Sequence, residues 1–242
     1  MYRSMLWMCL ATTCFLLETA AATPQDAYPR VRQARAAKGA LVREIFESRG
    51  IPYPPPRLFL RVFKQERVLE VWAAGETEAT YVLVKTYPIC ALSGSPGPKR
   101  RQGDGQIPEG FYQVVGFNPA SAYHLSFRLN YPNQSDRILG TPPLGGDIFI
   151  HGDCVTIGCI PITDTLIEEL YLIALDTHAA GQKIPVHIFP ARMTSSRMTR
   201  WKQERPDLYP FWCNLEQGYR YFEEHRRPPR VSVDEAGRYH FR

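Results

Sequence analysis

The chain has 242 residues, 44% apolar and 22% charged, enough for one sizeable core without metal or disulfides and unlike a disordered or collagenous polymer. Its 21 prolines outnumber its 17 glycines, which argues against a bundle of long helices and for strands, turns and loops. A formal charge of +5 suits encounter with anionic polymers or lipid head groups.

Residues 1–22 place Arg3 ahead of an apolar run from Met5 to Leu17, with Ala20 and Ala22 as small residues before Thr23. This is the layout of a secretory signal peptide cut near Ala22, because the run falls short of the ~20 residues a spanning helix needs. It predicts a periplasmic protein, peripheral to a membrane at most, with no nucleic-acid partner. Cys9 and Cys14 leave with the signal, and Cys90, Cys154, Cys159 and Cys213 remain. An oxidising compartment can pair an even number, whereas a thiol used as a nucleophile must stay reduced.

Residues 23–56 read as an N-terminal helix and a proline-rich linker. Ala37, Leu41 and Ile45 predict a short amphipathic helix over 36–46, and IPYPPPR at 51–57 forces extended backbone. A main domain spans 57–190. RLFLRVF (57–63), RVLEVWA (67–73) and ATYVLVKTY (79–87) predict three antiparallel strands. Residues 93–110, dense in Gly, Pro and charge, form a long surface loop of the kind that often serves function. Further strands are predicted at 110–117, 123–131 and 147–152.

Residues 162–181 change to helical spacing, with Thr163 as cap, Leu166, Ile167, Leu170, Ile173 and Ala174 on one face, and Gly181 as the stop. A strand returns at 184–190. From 191 to 242 the chain becomes aromatic and charged, an extension whose rings suit packing on the domain or a platform for sugars. It ends in a predicted hairpin over 231–241.

Reactive side chains are densest in HGDCVTIGC at 151–159. A strand ending at His151 and a helix soon after Cys159 would set that sulfur near a helix N-terminus, which favours thiolate. His151 can then take the thiol proton, as nucleophilic acyl transfer requires. Gly158 lets the backbone turn, and N–H groups near Cys159 can face an oxyanion. Two other readings stay open on spacing alone. His151, Cys154 and Cys159 supply three ligands of a zinc site, and Cys154 can pair with Cys159 in a disulfide.

IHGDCVTIGC resembles the active-site segment of the L,D-transpeptidase catalytic domain, the YkuD family, whose signature is His-Gly, a spacer, then Ser/Thr-x-Gly-Cys. KTYPICALSG (85–94), GPKRRQGDGQIPEGFY (97–112), PARMT (190–194), the FW pair at 211–212, GYRYFE (218–223) and RRPPRVSV (226–233) are similar to its YafK-like branch. The resemblance covers most of 57–240. It implies a mainly β (α+β) fold, a β-sandwich or barrel with a few packed helices and a C-terminal α/β extension.

It also implies a secreted cysteine enzyme on peptidoglycan peptide stems, needing no cofactor or metal. Cys159 resembles the nucleophile and His151 the general base; Thr156, Gly158 and Gly152 resemble the residues that shape the turn and oxyanion site. The implied reaction is attack on the meso-diaminopimelate carbonyl, expulsion of D-alanine, and capture of the thioester by an amine or by water. Three positions depart from the family: the short spacing from His151 to Cys159, Ile157 where His is frequent, and Pro161 where Arg or Asn is frequent. These match the branch in which hydrolysis of cross-links, including stem-to-lipoprotein bonds, stands beside transpeptidation. His124, Arg101 and Glu109 are candidate substrate contacts. A non-enzymatic rival is a wall-binding module with Cys159 locked to Cys154.

Overall fold

The computed structural model describes residues 23–242, and the signal-peptide expectation over 1–22 lies outside the described residues. In chain order the elements are α1 (Pro29–Glu47), β1 (Arg57–Phe63), β2 (Val68–Ala74), β3 (Val82–Pro88), β4 (Gly110–Asn118), β5 (Ser126–Leu129), α2 (Gln134–Leu139), β6 (Phe149–His151) and β7 (Ile160–Pro161). There follow α3 (Asp164–Ala179), β8 (Pro185–Phe189), α4 (Ser195–Glu204), α5 (Tyr209–His225), β9 (Val231–Val233) and β10 (Tyr239–Phe241).

The apolar runs at 57–63 and 68–74 are buried almost throughout because both faces of β1 and β2 are covered. One mixed sheet results, in the order β3-β2-β1-β8-β4-β5-β6-β7. Its first three strands form the expected antiparallel meander, while β1 runs parallel to β8 and β6 parallel to β7. The curl comes from β4. Its first half, Gly110 to Gln113, pairs with β8, and its second, Val114 to Asn118, pairs with β5 across a register shift at Val114/Gly116. A bulge there bends the strand and turns the sheet over.

The two edges of the curled sheet come back together beside β7. Just past β3, the Cys90 N–H donates to the Pro161 carbonyl at 3.1 Å, and Cys90 forms a disulfide with Cys154, Cα to Cα 5.5 Å. The half-barrel is therefore latched at the segment that carries the reactive residues.

Helix α3 is apolar on nearly every side, with Ile167, Leu170, Leu172 and Ile173 fully buried, and it fills the main core. Helix α1 lies against it and is longer than the predicted 36–46, since Pro29 can start a helix at its first position. Arg35 ties α1 down by reaching Asp26 at 2.7 Å and Asp176 at 2.8 Å. The extension holds two helices, α4 and α5, that the aromatic texture did not resolve. Trp212, Phe222, Leu215 and Tyr239 are buried in its contact with β1, β4 and β8, so these rings pack rather than present a platform. Around Arg61, itself 1% exposed, the rings of Phe63, Phe189, Tyr219 and Phe222 lie within 4.5–5.8 Å of the guanidinium. The terminal hairpin forms as expected, β9 against β10.

Candidate active site

β6 ends at His151, and in the parallel register Ile150 pairs with Ile160 and His151 with Pro161. Ile150 and Ile160 are fully buried on the core side, so strand alternation puts His151 and Cys159 together on the other face. Residues 152–159 alone join these parallel neighbours, where a crossover usually takes a dozen residues or more. The backbone meets that demand with left-handed conformations at Asp153 (φ 61°) and Gly158 (φ 138°), flanked by Asp147 (φ 59°) and His124 (φ 65°). Non-glycine residues in this region each cost about 1–3 kcal/mol, a strain that gathers at functional sites.

Two glycines are required by close approach. A Cβ on Gly158 would lie 3.0 Å from the Gln106 carbonyl oxygen, and one on Gly152 would meet the Asp164 carboxylate at 2.5 Å and His124 Cβ at 2.9 Å. Thr156 Oγ1 accepts from the Gly158 N–H at 3.1 Å and donates to the Cys159 carbonyl at 2.8 Å. It thereby folds the turn before the sulfur. The Gly158 N–H is spent on Thr156 and the Gly152 N–H on the Leu125 carbonyl, so both shape the turn and neither is a free oxyanion donor. The Cys159 N–H makes no hydrogen bond among the described residues.

The Cys159 thiol is half-buried and free. Its sulfur accepts from the Phe149 N–H at 3.5 Å and donates to the Asp147 carbonyl at 3.6 Å. Helix α3 does not reach it: Thr163 is the N-cap, and the Asp164 carboxylate in the first turn takes the Asp153 N–H at 2.7 Å. The expected helix-terminus activation is thus corrected. Burial pushes the thiol above the ordinary cysteine range and Asp147 adds to this, against the Phe149 N–H and the Lys99 charge. His151 is buried beneath Tyr123, ring centroids 4.8 Å apart. Its Nδ1–H donates to the Gly152 carbonyl, which leaves Nε2 as the basic nitrogen. Burial holds the imidazole below its usual value, against the Gly152 carbonyl and Asp153. No hydrogen bond joins His151 to Cys159 among the described residues. Both shifts favour the uncharged forms, thiol and neutral imidazole.

The disulfide settles two alternatives. Cys154 is bonded to Cys90, which removes it from a zinc set and leaves Cys159 unbridged; the rival built on a Cys154–Cys159 bond loses its basis. Cys213 is also free.

The remaining candidates separate. His124 packs against Gly152, but its ring donates to Glu168 at 3.0 Å and its carbonyl accepts from Arg30. Arg101 is exposed on the long loop, whose fold is organised by Asp104: that carboxylate accepts from Lys99 Nζ at 2.6 Å and from the N–H groups of Arg100, Arg101 and Gln106. Glu109 is corrected outright. It is fully buried, and its carboxylate is taken by Lys64, the Gly97 N–H and Trp212. The sequence reading missed Asp147 and Tyr123. Asp147 follows a Gly-Gly pair, a turn signal that marks the bend but not the sulfur above it.

The model of the L,D-transpeptidase catalytic domain (YkuD) matches residues 58–188. YafK of Escherichia coli (strain K12), a protein whose name proposes an L,D-transpeptidase activity, is 41% identical over 180 residues, 73% of this chain and 70% of that one. Among solved structures, the helical cell shape determining protein Pgp2 of Campylobacter jejuni is 18% identical, with a TM-score of 0.47 over 74% of this chain and 73% of that one. L,D-transpeptidase 1 of Mycobacterium tuberculosis is 15% identical, with a TM-score of 0.30 over 54% of this chain and 60% of that one. The domain match and the relative at 41% identity, on a chain that carries His-Gly at the end of β6 and Thr-x-Gly-Cys in the loop just before β7, place this protein in the L,D-transpeptidase catalytic-domain (YkuD) family.

Proposed function

We infer that the protein is an exported cysteine acyl-transfer enzyme acting on peptidoglycan peptide stems. Cys159 Sγ attacks the meso-diaminopimelate carbonyl of a tetrapeptide while His151 Nε2 takes the thiol proton. The tetrahedral intermediate collapses as D-alanine leaves with that proton, and a thioester remains on Cys159. An amine or a water, deprotonated by the same nitrogen, releases the acyl group and restores the thiol. The observation that carries this reading is a free, half-buried thiol sharing a strand face with an imidazole whose Nδ1 is held by the Gly152 carbonyl.

Water as acceptor has its own support: Ile157, two residues before the thiol, is 88% exposed and Pro161, two residues after it, is buried in β7, so neither position offers a polar side chain to hold an incoming amine. Cross-links and lipoprotein-linked stems are substrates on that branch of the reaction. Mass spectrometry of a disaccharide tetrapeptide, a cross-linked dimer and a lipoprotein-linked stem, incubated with wild type and Cys159→Ala, decides between the branches. New dimers or exchanged terminal D-amino acids mean transpeptidation, and cleavage without new bonds means hydrolysis. No change in any substrate under reducing conditions refutes both.

The protonation states give a second expectation. With the thiol raised and the imidazole lowered, Cys159 is mostly protonated at neutral pH and His151 mostly neutral. Iodoacetamide labelling of Cys159 should be slow at pH 7 and keep rising beyond pH 9. Peptide turnover, which needs the free imidazole, should reach its plateau at a lower pH than an ordinary histidine would allow. A labelling rate that levels off below pH 7 would instead reveal a thiolate–imidazolium pair.

A further inference from the structure

The α4–α5 connection, helix α5 and the β9–β10 turn lie outside the family match of residues 58–188, yet together with the long loop before β4 they wall a cavity. It measures about 520 Å³ and lies between residues 95–106, the start of α5 and the hairpin turn. Gln106 lines it, and the carbonyl oxygen of the same residue backs the Gly158 Cα. The cavity and the turn before Cys159 thus share a wall.

Three guanidinium groups line this space, Arg100, Arg205 and Arg238, against one carboxylate, Asp207. They are not equivalent. Arg205 is spent on Asp207, with nitrogen–oxygen distances of 3.1 and 2.9 Å, and on the Pro96 carbonyl. The Arg100 guanidinium carbon stands over the Phe211 ring, 4.6 Å from its centroid, and its buried Nη1 stands 3.6 Å from Asp136 without a hydrogen bond. The Arg238 side chain is exposed and makes no hydrogen bond or ion pair among the described residues. A planar fork seated on an aromatic ring and a second, unpaired fork make a receptor for a planar, bidentate anion. Because Asp207 cancels Arg205 and Asp136 stands behind Arg100, the surplus positive charge is small and matches a single carboxylate better than a phosphate dianion.

We propose that this cavity is a carboxylate subsite, in which Arg100 and Arg238 hold a free carboxylate of the peptide whose reacting carbonyl sits at Cys159. The peptide class rests on the function inferred above; the anion class rests on the arginines alone. The subsite gives the C-terminal extension a task in recognition as well as packing.

The test is a calorimetric titration of the free tetrapeptide stem, L-Ala-γ-D-Glu-meso-diaminopimelate-D-Ala, into the Cys159→Ala protein, where no chemistry intervenes. Arg238→Gln and Arg100→Gln should each weaken binding about tenfold, and a stem with its carboxylates amidated should bind the parent protein as weakly. Inorganic phosphate at matched ionic strength should not displace the stem. Unchanged affinity in Arg238→Gln overturns the proposal, as does displacement by phosphate at equal concentration. Arg100→Gln also disturbs buried Asp136, so the exposed Arg238 carries the decision. Turnover that is indifferent to Arg238→Gln refutes the subsite and leaves the enzyme reading intact, whereas arginine-dependent binding without turnover by the wild type does the reverse.

Discussion

Cys159→Ala should abolish turnover, a fall on the order of 10⁶-fold if the chemical step runs wholly through the thiol, while the protein keeps its melting temperature within a few degrees. The side chain is half-buried, and its polar contacts are two long ones to backbone, so little packing goes with it. Cys154→Ala should do nearly the opposite. It opens the Cys90–Cys154 bridge, which spans 64 residues, and should cost about 2–4 kcal/mol through the freedom returned to the unfolded chain. Turnover should fall but survive, because the latch holds the loop from Cys154 and takes no part in proton or acyl transfer. Cys90→Ala should match it. Thermal melts and single-turnover thioester detection by mass spectrometry on all three variants separate the cases. Loss of the thioester in Cys154→Ala with retention in Cys159→Ala would reverse the assignment of the nucleophile.

The strands of the main domain were legible because each is a short apolar run closed by turn residues, and α3 because its spacing changes period between Thr163 and Gly181. The 162–181 pattern reports burial on one face, however, and α3 is buried on nearly all sides. What encloses it is the bend of β4, and a bulge at Val114/Gly116 has no signature stronger than a glycine inside a strand. Helices α4 and α5 were hidden by composition. Trp201, Trp212, Tyr219 and Phe222 do recur at core-facing positions, but prolines at 206 and 210 and a glycine at 218 break the texture, although Pro210 only starts α5 and Gly218 admits Phe111 against the helix. At the site, the motif points to Cys159 and His151 as candidates, but the thiolate expected there does not follow from it: burial raises the thiol and lowers the imidazole. A thiol is placed relative to a helix by the intervening backbone, and the two residues of β7 carry Cys159 toward Phe149 and Asp147 and away from the first turn of α3.

Glu109 shows how far a charge on a loop can be from solvent, and its replacement should have the largest effect on stability. Loop residues 93–109 end where β4 enters the core, and the carboxylate there is fully buried. Oε1 accepts from Lys64 Nζ at 2.9 Å and from the Gly97 N–H at 3.1 Å, and Oε2 from Trp212 Nε1 at 2.8 Å. Lys64 completes its own set by donating to the Gly97 and Ile107 carbonyls. Every polar atom is matched, so the pair is tolerated in a place where either charge alone would not be. Glu109→Ala should therefore destabilise by about 3–5 kcal/mol, lowering Tm by on the order of 10 °C. Lys64→Met should cost a similar amount for the same reason. The double variant Glu109→Ala/Lys64→Met should cost less than the sum of the singles, because no orphaned charge remains. The two residues join β1 to the loop and, through Trp212, to α5, so the extension should loosen together with the loop. Proteolysis of α4 and α5 in Glu109→Ala before the main domain melts would show that coupling, and an extension that stays protected until the main domain melts would refute it; singles whose costs simply add in the double would refute the charge-pair account.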